Sequence, residues 1–595
     1  MASRSLSPVL GVTNSLSGRA WHWRGGNMAL DAGIGGPDND ILTQLLLARG
    51  VAPDDLTRHA APSLREFLPD PSAFLDMDLA AERLAQAILG GERITIYGDY
   101  DVDGATSAAL LIDLLRQLGV AAEYYIPDRL LEGYGPSGEA LVRLAEQGSS
   151  LVVTVDCGAM AFDALRQARE AGLDVIVVDH HKCAAEIPPA VALVNPNRLD
   201  ESDLAASHGH LAAVGVAFLL AIALVRTLRS RDYFAGRQEP DLMRLLDLVA
   251  LGTVADVAML RGLNRAFVTQ GLKIMARRQR IGMAALIDAS RITRAPQSSD
   301  LGFALGPRIN AGGRVGESTL GVRLLTTNDP DEAREIAAQL SALNDERRVI
   351  EAEVQEAAEA QIASMDNHSV QIFSGEGWHP GVIGIVAGRL KEKTGKPAFV
   401  IALDRETGLG KGSGRSITGV DLGAAVIAAK DAGLLKAGGG HAMAAGITIE
   451  PEHLRPFAEF LEQRLAAKID AARANRVLEL DLSIAPGGMV PDLVEVLEQA
   501  APFGVGWPAP RIAVGPVRIV KADVVGSDHL RVIAAGDDGR SFKGIAFRAA
   551  TSEMGQTLLH RSSGRRFHLS GRAKIDDWGN RPAVELHLDD AAFAD

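Results

Sequence analysis

The chain has 595 residues, of which 47% are hydrophobic and 23% charged, and its formal net charge is −14 at pH 7. The length exceeds what one hydrophobic core supports, and the composition excludes disordered and fibrous proteins, so we expect roughly three or four globular domains. The longest apolar run, residues 211–225, is short for a membrane span and predicts a buried helix rather than a membrane protein. The two cysteines, Cys157 and Cys183, provide no disulfide framework and favour a cytoplasmic location.

Residues 1–90 are predicted to form an N-terminal segment that is mostly helical from residue 41. Residues 91–329 begin with alternating strands and helices, which predicts a parallel sheet with helices on both faces. The first strand, at 94–98, runs into Asp99-Tyr100-Asp101-Val102-Asp103-Gly104. Carboxylates this close repel one another and are tolerated mainly where divalent cations neutralise them. An EF-hand loop could begin in the same way, but Leu110 stands where that loop needs an acid.

Two later strands also end in candidate ligands. Asp156 follows the strand at 151–155, and Asp179-His180-His181 follow the strand at 174–178. Because ligands bind beyond the carboxyl ends of parallel strands, these side chains are expected at one sheet edge. Asp256, which ends another apolar stretch, is a fourth candidate whose alternative role is a helix cap or a solvated turn.

The sequence therefore predicts a centre for two divalent ions at this edge. Oxygen-rich ligands with one imidazole favour Mn²⁺ or Mg²⁺ over a structural zinc ion. Two such ions would activate water for attack on phosphorus and neutralise charge on the phosphate, with His181 facing that phosphate. The candidate metal ligands are Asp99, Asp101, Asp103, Asp156, His180 and Asp256.

The remainder of the chain is predicted to contain three further parts. Apolar residues at three- and four-residue spacing predict one long connecting helix over 330–365, interrupted on its apolar side by Arg347. A second, smaller α/β domain is expected over 366–470. Short strand patterns separated by turn residues over 478–595 predict a small β-barrel.

Several motifs together resemble known families. Asp179-His180-His181 resembles the signature of the DHH phosphoesterase superfamily, and Gly438-Gly439-Gly440-His441 is similar to the hallmark of the second domain associated with it. The whole chain resembles the RecJ family of single-strand-specific 5′→3′ DNA exonucleases. The stretches that carry this further resemblance are residues 126–129, 132–135, 307–314 and 502–508.

The resemblance implies a metal-dependent exonuclease of single-stranded DNA that acts in DNA repair and recombination. It implies a groove between the two α/β domains, in which Arg129 would hold a terminal 5′ phosphate. It also implies an OB-fold barrel that binds the strand. A single-strand-binding protein and a RecQ-type helicase are implied as protein partners, and we expect the protein to be a monomer. The residues expected to hold phosphates are Arg129, Arg308, Asn310, Arg314, Arg415 and His441, and those expected on the barrel are Arg511, Arg518, Lys521, Arg531, Lys543, Phe547 and Arg548.

Three residues depart from the pattern of these families. Tyr97 stands where relatives often have a histidine ligand, so Asp99 is expected either to replace that ligand or to leave the first metal more weakly held. Asp128 and Trp507 stand where relatives usually have asparagine; the first adds a negative charge next to Arg129.

Two alternatives to this function have different sequence requirements. An enzyme of the same superfamily that cleaves very short oligonucleotides or cyclic dinucleotides predicts a shorter chain without the barrel. A binding scaffold without catalysis predicts missing acids, whereas the acidic set is complete here. Both alternatives are therefore disfavoured.

Overall fold

A computed structural model of the chain describes residues 8–26, 41–129, 131–362, 368–474, 476–576 and 583–594. The predicted domain boundaries at residues 1, 365, 366 and 595 lie outside these ranges, as do residues 1–7 and 27–40 of the predicted N-terminal segment. The N-terminal elements are β1 (Ala20–Trp23), α1 (Ile41–Ala48), α2 (Leu56–Ala60), α3 (Leu64–Phe67) and α4 (Met77–Gly90).

The first domain is built on a five-stranded sheet in the order β3-β2-β4-β5-β6, and all its neighbouring strands are parallel. Because side chains alternate along a strand, Ile96 joins one buried cluster while Tyr97 and Val152 join another on the opposite face. The predicted parallel sheet is confirmed. The elements of this sheet are β2 (Ile94–Gly98), α5 (Val102–Gln117), β3 (Glu123–Tyr125), α6 (Gly138–Glu146), β4 (Leu151–Val155), α7 (Phe162–Glu170), β5 (Asp174–Val178) and β6 (Ala192–Val194).

Helices complete the first domain. The predicted apolar helix is α9, and α9 alone among the described helices has the length and composition to cross a membrane; 72% of its apolar window is buried inside the protein. This burial agrees with the buried helix predicted for the apolar run. The helices are α8 (Asp203–Ala206), α9 (Ala213–Ser230), α10 (Leu246–Ala255), α11 (Gly262–Met275), α12 (Ile281–Ala289), α13 (Ser298–Asp300), a π-helical turn (Leu301–Leu305), α14 (Gly306–Val315) and α15 (Leu320–Thr326).

One long helix, α16 (Pro330–Gln361), connects the two α/β domains. Asp329 caps its start, and its 32 residues span about 48 Å. Arg347 interrupts the apolar side because it pairs, at 2.9 Å, with the fully buried Glu351. Glu351 also binds Arg389 of the second domain, at 2.7 Å, so this ion-pair network joins the helix to that domain.

The second domain has a five-stranded mixed sheet in the order β10-β11-β9-β8-β7, in which β7 and β8 are parallel and the other pairs are antiparallel. Helix α17 and the end of α16 pack against one face of this sheet, and α18 and α19 pack against the other. Its elements are β7 (Gln371–Glu376), α17 (Ile383–Thr394), β8 (Ala398–Leu403), β9 (Gly410–Arg415), α18 (Leu422–Asp431), β10 (Ala437–His441), β11 (Ala444–Ile449) and α19 (Leu454–Ala474).

The C-terminal part is a closed barrel. Strands β14, β15, β16, β18 and β17 form the ring, which closes because β17 pairs with β14 as well as with β18. One helix, α21, connects β16 to β17, and the fold is the OB-type barrel that was predicted. The elements are β12 (Val477–Leu480), β13 (Leu482–Ile484), α20 (Pro491–Glu498), β14 (Ile512–Val525), β15 (His529–Ala535), β16 (Ser541–Ala546), α21 (Glu553–His560), β17 (Arg566–Asp576) and β18 (Ala583–Phe593).

The barrel and the first domain share one continuous buried core, whereas the second domain has two separate clusters of its own. The N-terminal strand β1 pairs in parallel with β12, which ties the start of the chain to the barrel side. The barrel is therefore fixed to the first domain by apolar packing, and the second domain is attached mainly through α16.

Trp507 lies in the turn before the barrel and contacts three segments of the chain. Its side chain is nearly buried, and its indole N–H donates a hydrogen bond to the carbonyl of Ala500 at 2.8 Å. The guanidinium groups of Arg49 and Arg265 lie 4.8 and 5.4 Å from its ring, and the ring of His59 lies 4.2 Å away. Arg265 is itself buried and donates to three carbonyls of the segment before the turn. The departure from asparagine therefore adds a buried aromatic contact between the barrel turn and the N-terminal helices.

We expect Trp507→Ala to lower the free energy of unfolding by about 3–5 kcal/mol, because a buried aromatic ring and its contacts with two guanidinium groups are lost. Chemical denaturation followed by circular dichroism measures this change. Phe303→Ala is the matched control, because the Phe303 side chain is 87% exposed, and it should leave the free energy of unfolding unchanged. Equal denaturation midpoints for the parent and Trp507→Ala would contradict the role of this contact.

Candidate metal centre and nucleic-acid groove

The loop between β2 and α5 holds three carboxylates in fixed positions. Asp101 caps α5, and its Oδ1 accepts hydrogen bonds from the backbone N–H groups of Asp103 (2.9 Å) and Gly104 (3.2 Å). Position 104 requires glycine, because a Cβ there would lie 2.3 Å from the carbonyl oxygen of Asp99. The buried carboxylate of Asp103 accepts hydrogen bonds from the first two backbone N–H groups of α9, at 2.6 and 3.0 Å. Two helix starts thus fix this loop.

Asp156 and His180 meet at the carboxyl ends of β4 and β5. Asp156 is buried and adopts a left-handed backbone conformation with φ of 63°, and its Oδ1 lies 3.2 Å from Nε2 of His180. Nδ1 of His180 donates to the carbonyl of Leu211 at 3.0 Å, so Nε2 presents its lone pair to the acids. Burial, together with the charge of His181, lowers the pKa of His180 to about 4, which keeps the imidazole neutral, as a metal ligand must be.

Three overlapping groups of side chains at this edge have ligand atoms within 4.8 Å of one another. They are Asp99–Asp101–Asp156, Asp156–His180–His181 and Asp103–His180–Asp256. Asp156 and His180 each belong to two groups, so the three groups form one continuous centre. The structure thus brings all six candidate metal ligands together, with Asp156 as the candidate bridging ligand.

The centre holds more buried negative charge than its surroundings neutralise. Burial and repulsion between neighbouring carboxylates raise the pKa values of four acids in the centre. They raise the pKa of Asp103 to about 7 and that of Asp256 to about 9, and they also raise the pKa values of Asp99 and Asp156. Oδ1 of Asp99, Oδ1 of Asp156 and Nε2 of His180 are buried and form no hydrogen bond with any described residue. Carboxylate oxygens and an imidazole nitrogen left in this state fit divalent cations such as Mn²⁺ or Mg²⁺.

Asp179, which follows β5 but was not among the six predicted metal ligands, positions both histidines. It is buried and accepts hydrogen bonds from the backbone N–H groups of His180 (2.7 Å) and His181 (3.1 Å) and from Nδ1 of His181 (2.8 Å). Burial alone would raise the pKa of Asp179, but the hydrogen bond from His181 holds this pKa at about 2. The same pair raises the pKa of His181 to about 9, against the effect of burial, so this imidazole is a cation at neutral pH.

Two tyrosines near this sheet edge lie in different environments. The hydroxyl of Tyr134, which was not a candidate, donates to the carbonyl of Asp156 at 3.1 Å, and its ring meets His181 edge-on. Tyr97 is fully buried in the cluster on the opposite face of the sheet, where its hydroxyl donates to a backbone carbonyl. Tyr97 therefore lies away from the acidic groups, whereas Asp99 lies in the group that contains Asp101 and Asp156.

Arginines lie beside the acidic centre, where the first domain meets the second. The guanidinium of Arg129 lies 4.9 Å from the ring of Tyr100, next to Asp99 in the acidic loop. Nη1 of Arg314, on α14, donates to the carbonyl of Gly381 in the second domain at 2.9 Å. A Cβ on Gly381 would lie 2.5 Å from the carbonyl oxygen of Arg314, so glycine permits this close contact between the domains.

These cations lie close enough to perturb one another. Burial and the charges of Arg129 and Arg347 lower the pKa of Arg314 to about 10, and burial and Arg129 lower the pKa of Arg415. No described acid forms an ion pair with Arg129, Arg314 or Arg415, so this positive charge remains for an anionic ligand. Arg347 was not a sequence candidate, because its place in the middle of a helix gave no signal of the groove.

Arg415 and His441 lie in one row across the second sheet. Arg415 of β9 is paired with Ala444 of β11, which in turn is paired with His441 of β10. A Cβ on Gly384 would lie 2.8 Å from the guanidinium of Arg415, so glycine allows the close approach. The two candidate phosphate-binding residues are thus at the same edge of this sheet, with His441 exposed.

The remaining candidates near the groove are held by local contacts. Arg308 and Asn310 are half-buried on α14, and Nε of Arg308 donates to the hydroxyl of Ser341 on α16 at 3.1 Å. Oδ1 of Asp128 accepts a hydrogen bond from the backbone N–H of Leu131 at 3.1 Å. The extra carboxylate therefore shapes the turn that follows it.

The seven barrel candidates separate into two sets. One set forms ion pairs with acids of the barrel and its flanking strands, and it consists of Arg511, Lys521, Arg531 and Lys543. The other set is exposed and consists of Phe547 and of two arginines that make no ion pair with a described acid, Arg518 and Arg548. The ring of Phe547 lies between those of His529 and His587, at 5.4 and 5.1 Å, which gives the barrel one exposed aromatic cluster.

Comparison with known families accounts for all three parts of the chain. The profile of the DHH family, N-terminal domain, matches residues 93–253, that of the DHHA1 domain matches residues 367–467, and that of the RecJ OB domain matches residues 480–590. The chain is 38% identical over 523 residues to the single-stranded-DNA-specific exonuclease RecJ of Dickeya dadantii, covering 86% of this chain and 89% of that protein. The chain belongs to the RecJ family.

Other members of the family support the same alignment. The RecJ exonuclease of Escherichia coli is 35% identical over 563 residues, which cover 92% of this chain and 95% of that protein. The crystal structure of RecJ from Thermus thermophilus in complex with Mn²⁺ matches with a TM-score of 0.73 at 29% identity, over 92% of this chain and 75% of that one. The complex of the same protein with Mg²⁺ matches with a TM-score of 0.67 at 27% identity, over 93% and 74%.

We expect Mn²⁺ to raise the thermal unfolding midpoint of the parent protein by several degrees, because the ion binds the folded centre and not the unfolded chain. The variant Asp156→Asn, whose side chain tolerates the left-handed backbone, should show little of this shift. In EDTA the variant should be at least as stable as the parent, since one buried charge is removed.

Thermal scans with and without Mn²⁺ measure both effects. Asp163→Asn serves as the control, because Asp163 is exposed and paired with Arg166, and it should keep the full shift. An equal Mn²⁺ shift in Asp156→Asn and the parent would contradict the assignment of Asp156 as a metal ligand.

Proposed function

We propose that this protein is a metal-dependent exonuclease that degrades single-stranded DNA in the 5′→3′ direction by hydrolysing phosphodiester bonds. The observation that carries the proposal is an acidic centre that shares Asp156 between ligand groups and lies beside a cluster of unpaired arginines. Such an arrangement holds cations on one side of a phosphate and donates hydrogen bonds to it from the other.

The candidate ligands would hold two divalent ions, Mn²⁺ or Mg²⁺, and these are Asp99, Asp101, Asp103, Asp156, His180 and Asp256. When bound, the ions lower the pKa of water and neutralise charge on the phosphate. His180 contributes Nε2 because its Nδ1 proton is held by the carbonyl of Leu211. His181, kept cationic by Asp179, would donate a hydrogen bond to a phosphate oxygen.

The 5′→3′ polarity that we propose comes from the family, and Arg129 is the residue that would hold the 5′ end. Arg129 stacks on Tyr100, beside the acidic loop, and no described acid neutralises it. A guanidinium fork binds two oxygens of one phosphate, which suits a terminal 5′ phosphate. Arg314 on α14 and Arg415 and His441 in the second domain would hold the same end of the strand as Arg129, because the two arginines lie near Arg129.

The cellular role that we propose rests on the family alone. Degradation of single strands suits DNA repair and recombination in the cytoplasm, and the protein would act as a monomer. A single-strand-binding protein and a RecQ-type helicase are the partners that the family likeness implies, since they would present an unwound strand.

Digestion of an oligonucleotide labelled at its 3′ end, in Mn²⁺, tests the function. We expect the label to remain on progressively shorter fragments, a blunt duplex to be spared, and a phosphorothioate block at the 3′ end to have no effect. The Asp156→Asn variant should bind the strand without cleaving it. Rapid cleavage of dinucleotides or cyclic dinucleotides without cleavage of long strands would instead support the alternative, a phosphodiesterase of short substrates.

We expect Arg129→Ala to reduce the preference for a 5′-phosphorylated strand over a 5′-hydroxyl strand by about 10- to 100-fold in kcat/KM, because a charged hydrogen-bonded pair is lost. Initial rates on the two strands measure this ratio. Arg166→Ala removes an exposed arginine whose one ion pair with a described residue is with Asp163, and it should keep the ratio of the parent. A parent enzyme without preference between the two strands would rule out this role of Arg129.

A further inference from the structure

A cavity of about 500 Å³ opens from the metal centre on the side of Asp256. Two candidate ligands, His180 and Asp256, form its inner end, so a molecule in the cavity would touch the centre. Val257 and Met259 provide apolar wall, and Arg261 provides positive charge. This mixture of an apolar surface and a cation suits a nucleotide, whose base is apolar on its faces and whose phosphate is an anion.

Val257 has an unusual backbone conformation for its residue type. Helix α10 ends with a hydrogen bond from the Val257 N–H to the carbonyl of Val254 and one from the Ala258 N–H to the carbonyl of Thr253, both at 3.2 Å. The residue at this position of a helix end is usually glycine, because its φ is positive. Val257 has a φ of 63°, and branching at its Cβ makes that conformation strained. Local folding therefore favours glycine here, and the valine side chain is 62% exposed.

Exposed apolar side chains continue from Val257 toward the barrel. Met259 is 47% exposed and Val505 is 41% exposed. The loop of Met259 is joined to the turn before the barrel by a hydrogen bond of 2.8 Å from the Leu260 N–H to the carbonyl of Val505. A Cβ on Gly506 would lie 3.5 Å from Cβ of Met259, so the two segments are in contact. We call Val257, Met259 and Val505 the apolar strip.

The position of the strip relative to the arginines identifies its occupant. Arg129 lies beside Asp99, at one side of the centre, whereas the strip begins next to Asp256, at the other. If the terminal nucleotide is held by Arg129, near the ligand group that contains Asp99, a strand that continues across the centre leaves near the group that contains Asp256. That path leads over the strip to the barrel turn that carries Val505.

We propose that the apolar strip receives the bases of the strand that continues beyond the scissile phosphate, with Val257 as the residue that positions the first of them. This inference rests on the proposed exonuclease function. Arg261, exposed at the same cavity, would hold a phosphate of the same stretch. The strip contacts bases by their apolar faces, so it would bind the strand without selecting its sequence.

The test combines a variant with altered substrates. Val257→Gly removes the side chain and relieves the strained backbone, so it should fold with a thermal midpoint equal to or above that of the parent. We expect it to raise KM for release of the first 5′-labelled nucleotide by about fivefold, as expected from the loss of one base contact. Leu89→Ala, on α4 and 50% exposed, is the matched control and should leave KM unchanged.

Strands with one abasic nucleotide at each of the positions after the scissile bond decide the assignment. At one position the abasic site should raise KM for the parent but add nothing in Val257→Gly, because both changes remove the same contact. Effects that add at every position, or an unchanged KM in Val257→Gly, would overturn the proposal for the strip. Cleavage of unmodified strands by the parent tests the exonuclease function separately, and its absence would overturn both proposals.

Discussion

Repulsion between buried carboxylates is the constraint on which this structure depends. Parallel strands bring their carboxyl ends to one edge, and the chain places acids after β2 and β4 and an acid with two histidines after β5. The protein offsets part of the charge with backbone N–H groups at the starts of α5 and α9. It leaves the rest without partners, because Oδ1 of Asp99 and of Asp156 accept no hydrogen bond from any described residue. The centre is therefore stable in its charged form only with cations, which makes metal binding a condition of its structure as well as of its chemistry.

The same constraint explains how the domains are attached. The acidic edge needs rigid support. The buried core that the first domain shares with the barrel provides this support. The arginines must approach and release a charged strand. Arg415 belongs to the second domain, and Arg314 contacts that domain through the carbonyl of Gly381. That domain has its own cores and is joined by α16 and polar contacts, which is the kind of interface that permits relative motion. A rigid centre opposite an adjustable basic surface suits an enzyme that advances along its substrate.

The sequence predicted most of the centre because strand ends are readable from local patterns. Five of the six candidate ligands follow strands of the parallel sheet, whose topology brings those ends together, whereas Asp256 ends helix α10. Two residues near the site were missed, because only tertiary structure brings the helix residue Arg347 near Arg314 and the loop residue Tyr134 to Asp156. The barrel shows the opposite error. Arg531 and Lys543 read as a basic surface, but strand register pairs them with acids of neighbouring strands, and register cannot be read from composition.

Repelling buried charges and two residues with unfavourable backbone conformations lie around the metal centre, and contacts that stabilise the fold lie elsewhere. Asp156 and Val257 both have positive φ, one within the ligand groups and one next to Asp256. Strain of this kind persists only where the surroundings fix it, and here α10 and the sheet do so with buried residues. Contacts far from the centre, such as the buried ring of Trp507 between Arg49 and Arg265, carry no chemistry and add stability. A substitution that relaxes the centre is thus expected to stabilise the chain at the expense of its reaction, because function here uses the least favourable part of the fold.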